Sequence, residues 1–381
     1  MNPALAGLLL DTLRLGPEPR RTDLAERWAG HDVAAGAPAI AAWIAWEQAE
    51  HWLLRRLADA GALAAAPPTL VTALQHAARR DAKAGMAVDA DAADVLRTIA
   101  AAGVPCVLLK GPARRASAAS LTLADARLTR DVDALVPAAE GERLWRLFRS
   151  RGYEAYQYDG TNVPPGESEL QGPSPYHLRT LVRRGGAALE LHLSTERGLP
   201  PARAWERLWS GARVVMWQGL EVRVPSFTEL LWHALTHAEV GRPDGWSLRY
   251  WLDAVSVLAA QPADWGIIEI RLRDVTRRER ALALRWLSVA CRLAGAAAPP
   301  DLTAEAPIAM ERLVSWRLAV LANGRLSAGW TEKLLDEGTR TEVGLPLAPL
   351  VSGRAWPIHV RRRSAAFLAR SAHFIWRRLG N

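Results

Sequence analysis

From Pro38 to Ala102 apolar residues recur every three or four positions, as in AIAAWIAWEQAEHWLLRRLADAGAL and TLVTALQHAARRDAKAGMAVDADAADVLRTIAAAG. That spacing lines one face of a helix with apolar side chains. It predicts several helices, interrupted at AAPPT, where Pro67 and Pro68 stop one and Thr69 is placed to cap the next. The period then changes. VPCVLLK is a short continuous apolar run that follows a glycine, the pattern of a buried strand.

PARRASAASL returns to helix, with Pro112 suited to a first turn. DVDALVP reads as strand, and AAEGERLWRLFRSRGY as an amphipathic helix closing on Gly152. YHLRTLVRR and AALELHLS, joined through Gly185 and Gly186, are two further strands, and EVRVPS adds a short one. The Gly- and Pro-rich stretch from Asp159 to Pro175 is a long loop of the kind that often carries function.

From Phe227 onward the pattern is helical almost to the end. The terminal IHVRRRSAAFLARSAHFIWRRLGN mixes arginine with Phe367, Phe374, Ile375 and Trp376. It reads as a packed helix with snorkelling arginines, or as a helix lying on a membrane surface. The layout is α+β: a helical region over 1–102, a small sheet-containing core over 103–225, and a helical region over 226–381.

Composition changes this picture in three places. The net charge of +8 favours an anionic partner such as a nucleotide, a nucleic acid or a membrane surface. Two cysteines far apart in the sequence, Cys106 and Cys291, form neither a disulfide framework nor a zinc spacing, and predict a reducing, cytoplasmic setting. The apolar N-terminal run is broken by Asp11 and Arg14 and reads as neither a signal peptide nor a membrane span. Lysine occurs only at 83, 110 and 333. Lys110 is the one inside a motif.

That motif begins where the first strand ends in Lys110-Gly111 and resumes where the second opens with Asp131-Val132-Asp133. Alternation along a strand sends Asp131 and Asp133 to one face, where they repel unless a cation sits between them. Magnesium is the natural cation, since it takes a couple of carboxylates and fills its remaining positions with water and phosphate oxygens. Gly111 lets a phosphate approach the backbone, the following helix offers unpaired N–H groups, and Lys110 adds a positive charge. Glu190 and His192, two apart on one face of LELHLS, supply a third carboxylate, either a second metal ligand or a base.

Other constellations carry less. His233 and His237 share a helix face with Glu229 one turn earlier, and a polar face near the cleft is preferred to zinc ligation, with His237 reaching toward the nucleotide site. Arg114 and Arg115 read as solvated helix charge, Asp253 as an intrahelical partner of Arg249, and the Trp-Arg pairs as core packing rather than base stacking. No Ser-His-Asp order, Walker loop or dinucleotide fingerprint occurs.

The runs VLLKG, RLTRDVDALV, RGY, LELHLS, HALTHAEV and WSLRYWLDAVSVL together resemble an uncharacterised bacterial nucleotidyltransferase family of the polymerase-beta-like superfold, over about residues 95–260. The resemblance implies a small mixed β-sheet nucleotidyltransferase core flanked by N- and C-terminal helical regions. Lys110 and Gly111 match the family's Lys-Gly, and Arg127 its arginine four residues ahead of the carboxylates. Asp131 and Asp133 match its Asp-Ile-Asp, and Glu190 with His192 its acidic-x-His strand. It implies nucleotide binding by Lys110, Gly111, Arg127, His192 and His237, and Mg2+ held by Asp131, Asp133 and Glu190. The reaction would transfer a nucleoside monophosphate from a nucleoside triphosphate to a small-molecule or peptide acceptor. Alternatives are kinase-like transfer of the γ-phosphoryl group, an RNA 3′ end as acceptor, and a binding module without catalysis.

Overall fold

The computed structural model describes residues 3–15, 21–118, 129–156, 169–171, 176–196, 199–240, 248–302 and 314. Helix begins much earlier than Pro38. α1 (Pro3–Leu13), α2 (Arg21–Trp28) and α3 (His31–Glu47) precede α4 (Glu50–Asp59) and α5 (Pro68–Ala101). The broken apolar run at the N-terminus is thus a helix, with Leu8, Leu9, Leu10 and Leu13 buried. Pro38 lies inside α3 rather than at its start. Thr69 caps nothing: α5 starts at Pro68, whose missing N–H is harmless in a first turn.

The sheet-forming part follows as β1 (Val107–Leu108), α6 (Lys110–Ala116), β2 (Asp131–Leu135), α7 (Ala138–Ser150), β3 (Glu154–Ala155), β4 (Leu181–Val182) and β5 (Ala188–His192). α7 presents Leu144, Trp145 and Phe148 to the core at helical spacing, and the chain leaves it through Gly152 at φ 84°. The five strands lie in the order β1-β2-β5-β4-β3, with β2 and β5 parallel and every other neighbouring pair antiparallel. The architecture is α+β, a small mixed sheet with helices at both ends.

After α8 (Pro201–Ser210), β6 (Arg213–Trp217) and β7 (Leu220–Val224) form a separate hairpin. The short strand expected at EVRVPS is β7; its partner β6 and the two-residue β3 carried no expectation. The hairpin turns through Gln218 at φ 52° and Gly219 at φ 73°, a left-handed pair that the Gln-Gly sequence signals less clearly than Asn-Gly would.

The helical end comprises α9 (Phe227–Val240), α10 (Leu248–Ala260), α11 (Trp265–Asp274) and α12 (Arg277–Ala294). α12 opens with a capping box in which Thr276 and Glu279 satisfy each other's backbone N–H, and it ends at Gly295 in the left-handed region. One apolar core runs continuously from Leu5 through the sheet to Val314. Trp28, Trp43, Trp232 and Trp251 are fully buried, whereas Trp205 and Trp209 of the Trp-Arg run WERLW are only partly buried and stack on each other with ring centres 4.9 Å apart. The terminal basic segment and most of the 159–175 loop lie outside the described residues. Among the described residues no helix is long and apolar enough to cross a membrane.

Candidate functional site

The turn after β1 places the first group. Leu109 donates its N–H to the Asp133 carbonyl at 2.8 Å, and Lys110 adopts φ 48° as the first residue of α6. A positive φ is uncommon for a residue with a Cβ and is found mostly where surrounding contacts hold it. Here the side chain is gripped at its end: Lys110 Nζ donates to Asp133 Oδ1 at 2.5 Å and to Glu190 Oε2 at 3.2 Å.

The two carboxylates meet because of register. β2 and β5 run parallel with Asp133 opposite Glu190 and Leu135 opposite His192, so residues on the same face of adjacent strands stand side by side. Asp133, Glu190 and His192 are buried at 0%, 3% and 3% exposure. His192 Nε2 lies 2.9 Å from Asp133 Oδ1 and 3.4 Å from Glu190 Oε2, and its Nδ1 faces the Ser194 carbonyl at 3.3 Å. Thr180 donates its hydroxyl to Glu190 Oε1 at 3.3 Å, and His177 Nε2 lies 3.8 Å from Glu190 Oε2. Asp131, half-buried where β2 begins, contributes its charge to Lys110 and Asp133.

The electrostatics follow from burial and mutual pairing. Burial alone would lower the proton affinity of the Lys110 ammonium, but Asp133, Glu190 and Asp131 outweigh it and hold that affinity above the ordinary lysine range. Burial raises Asp133, against the pull of Lys110. Glu190 is also pushed upward by burial, yet Lys110, His192 and His177 together hold it well below the usual carboxylate range. Burial and Lys110 depress His192, and its hydrogen bonds to Asp133 and Glu190 reverse the sign, leaving it above 6.5. With acceptors at both ring nitrogens, the imidazolium is the form that this geometry satisfies.

The donor set fits a divalent ion. Asp133, Glu190 and His192 each offer a ligand atom, all within 4.8 Å of one another. Asp133 Oδ2 is buried with no hydrogen-bond partner among the described residues. A charged oxygen out of water and unpartnered is costly unless something binds it. Carboxylate oxygens suit a hard cation, whereas His192 would have to give up its Nε2 proton to join them.

The remaining expectations divide. Gly111 is buried in the first turn of α6, directly after Lys110. Arg127 and the side chain of His237 lie outside the described residues. Arg114 and Arg115 are not solvated. Arg114 is 3% exposed and bonds the Asp253 carbonyl at 2.8 Å and its carboxylate at 3.4 Å, while Arg115 grips Asp89 through two nitrogens at 2.6 and 2.5 Å. Asp253 therefore bridges to α6 while its charge still acts on Arg249, whose hydrogen bonds go to Gln48 and Tyr250. Glu229 is taken by Arg207 at 2.7 Å and Arg271 at 2.7 Å, which removes it from any zinc set with His233.

His233 was undervalued by the sequence reading. Burial and the nearby charges of Lys110, His192, Arg114 and Arg207 hold it well below 6.5, so it is a neutral imidazole among cations at the site's edge. Its signal was HALTH, where the histidine one turn before His237 is the one described beside the cluster.

The match to a family of known pattern spans residues 34–291, well over half of the chain. The chain belongs to an uncharacterised nucleotidyltransferase family. This nucleotidyltransferase is thus an enzyme that transfers phosphorus-containing groups, and the matched span takes in the Lys-Gly turn, the aspartate pair, β5 and the helices from α4 to α11. Comparison with curated proteins and with solved structures gave no match.

Proposed function

We propose that the nucleotidyltransferase uses Mg2+ and a nucleoside triphosphate to place a nucleoside monophosphate on a small-molecule or peptide acceptor. The observation that carries the reading is the buried, unpartnered Asp133 Oδ2 in a carboxylate cluster aligned by the β2–β5 register beside the Lys-Gly turn. Asp131, Asp133 and Glu190 would hold the ion. Bound there, it would neutralise charge on the reacting phosphate and the departing pyrophosphate.

The protein's own groups have separable tasks. His192 keeps Asp133 oriented through its 2.9 Å contact. Gly111 lets the phosphates approach the backbone at the start of α6. Lys110, freed from the carboxylates, turns its ammonium to the phosphate chain. Glu190 completes the site as a second metal ligand or as the base that takes the acceptor's proton. Arg127 and His237 complete the nucleotide contacts. A cytoplasmic setting would supply Mg2+ and triphosphates and keep Cys106 and Cys291 as the free thiols that they are here.

The test is incubation of the purified chain with triphosphates labelled at the α or γ position, Mg2+ and a cell extract as acceptor source. Pyrophosphate release with α-label retained on an acceptor supports nucleotidyl transfer. Diphosphate release with γ-label retained would replace it by phosphoryl transfer, and label on RNA alone would replace the acceptor class.

A further inference from the structure

Arg249 feels the charges of Asp253 and Asp131 but makes no direct ion pair among the described residues. It sits in the first turn of α10, partly exposed, and donates from Nη1 to Gln48 Oε1 at 2.6 Å and from Nη2 to the Tyr250 hydroxyl at 2.9 Å, with its guanidinium 4.8 Å from the Tyr250 ring centre. Both bonds go to neutral acceptors, and Nε is buried without a partner. Arg114, Arg115, Arg183 and Arg207 each pair with a carboxylate, whereas Arg249 pairs with none among the described residues. Two of a guanidinium's five N–H donors are used.

A guanidinium drawn partly out of water, with spare donors and no direct ion pair, is open to a further anion. The neighbourhood says which ligand. Asp253, one turn further along α10, is bonded to Arg114 of α6, the short helix that Lys110 opens. The helix that carries Arg249 is therefore tied to the helix that the Lys-Gly turn opens. Asp131 lies within the field of both Lys110 and Arg249. The support is built as well: Gln48 holds φ 56° at the end of α3, and the preceding Glu47 accepts the Leu248 N–H at 3.0 Å, tying α3 to the start of α10.

We propose that Arg249, steadied by Gln48 and Tyr250, binds the phosphate chain of the nucleotide as a second cation beside Lys110. A planar fork with unused donors and no direct carboxylate partner suits phosphate oxygens. The inference rests on the nucleotide-binding reading above and adds a residue to it from the C-terminal helices.

Titration calorimetry with Mg2+ and the α,β-methylene analogues of the four ribonucleoside triphosphates, alongside the corresponding monophosphates, tests it. In the wild type the triphosphate analogue should bind more tightly than the monophosphate. In Arg249→Met that gain should fall tenfold or more, with monophosphate affinity changed less than threefold, and Arg249→Lys should recover part of it. If Arg249→Met does not fold, Gln48→Ala carries the test, with an expected loss of about threefold for the triphosphate only. An undiminished triphosphate gain in a folded Arg249→Met, or in Gln48→Ala where that variant carries the test, overturns the role of Arg249 and leaves the nucleotide reading standing. A wild-type chain that binds no triphosphate overturns both.

Discussion

Lys110 Nζ lies 2.5 Å from Asp133 Oδ1, nearer to that oxygen than the 2.9 Å His192 nitrogen, and it reaches Glu190 from the same position. A lysine from the end of one strand thus neutralises carboxylates on the next two. The arrangement satisfies Asp133 Oδ1 and leaves Oδ2 bare. The ammonium and a divalent ion would compete for overlapping oxygens, so the charge that stabilises the cluster without metal is the charge that must leave when metal enters.

Lys110→Met separates those roles. Removing the cation leaves Asp133 and Glu190 buried with less counter-charge, a loss of about 3–5 kcal/mol when one partner of a buried pair is deleted. The variant should melt well below the wild type in EDTA, and millimolar Mg2+ or Mn2+ should raise its melting temperature by more than it raises that of the wild type. Equal metal response in the two proteins would show that Lys110 does not compete with the ion.

Asp133→Asn keeps the shape of the side chain and its bond from Lys110 but removes the charge. Metal-dependent pyrophosphate release should fall by about 100- to 1000-fold, the usual loss on removing a group that stabilises the transition-state charge, while circular dichroism stays that of the wild type. Retained turnover would show that Asp133 has no part in the chemistry.

Much of this cluster was legible in the sequence because its parts are local: strand alternation puts two aspartates on one face, and a Lys-Gly turn after an apolar run marks where a phosphate can approach. The parallel register that sets Asp133 beside Glu190 is not local. It depends on β5 crossing to lie next to β2, fifty-odd residues later in the chain. The ion pairs of α6 were illegible for the same reason. Arg114 and Arg115 look like surface charge in a helical run, and only the approach of α10 and α5 buries them against Asp253 and Asp89. α1 falls within the helical region expected over 1–102, but its own bounds are not legible, because its leucines are buried nearly all round and mark no single face. The hairpin partner β6 was missed because Val214 and Met216 face outward on a strand whose turn residues are atypical.

The Arg115–Asp89 bridge fixes α6 against α5. Its nitrogens reach both carboxylate oxygens, and Gly85 makes room for the guanidinium, since a Cβ there would meet Arg115 Nη1 at 2.9 Å. Arg115→Met and Asp89→Asn should each destabilise the fold by about 3 kcal/mol, because each strands a buried partner. The double variant should cost less than the sum of the two, a coupling of about 1–3 kcal/mol in a double-mutant cycle by denaturant unfolding. Simple additivity would mean that the two side chains do not interact.

Glu50, 6% exposed on α4, gives a prediction with a definite pH sign. Arg80 bonds one of its oxygens at 3.2 Å, and the other, Oε2, is buried without a partner. Burial raises its affinity for the proton above the ordinary 4.5, with Asp81 adding to the shift and Arg80 opposing it. A carboxyl raised on folding contributes stability that is present below 4.5 and lost as the pH climbs through the folded value. At neutral pH, therefore, the ionised Glu50 is a net cost. Glu50→Gln should be more stable than the wild type by about 1 kcal/mol at pH 7, since a neutral amide loses less on desolvation. The advantage should shrink as the pH is lowered toward 4. Urea titrations at a series of pH values between 4 and 7 measure it, and a gap that widens on acidification would show that Arg80, rather than burial, sets the ionisation of this side chain.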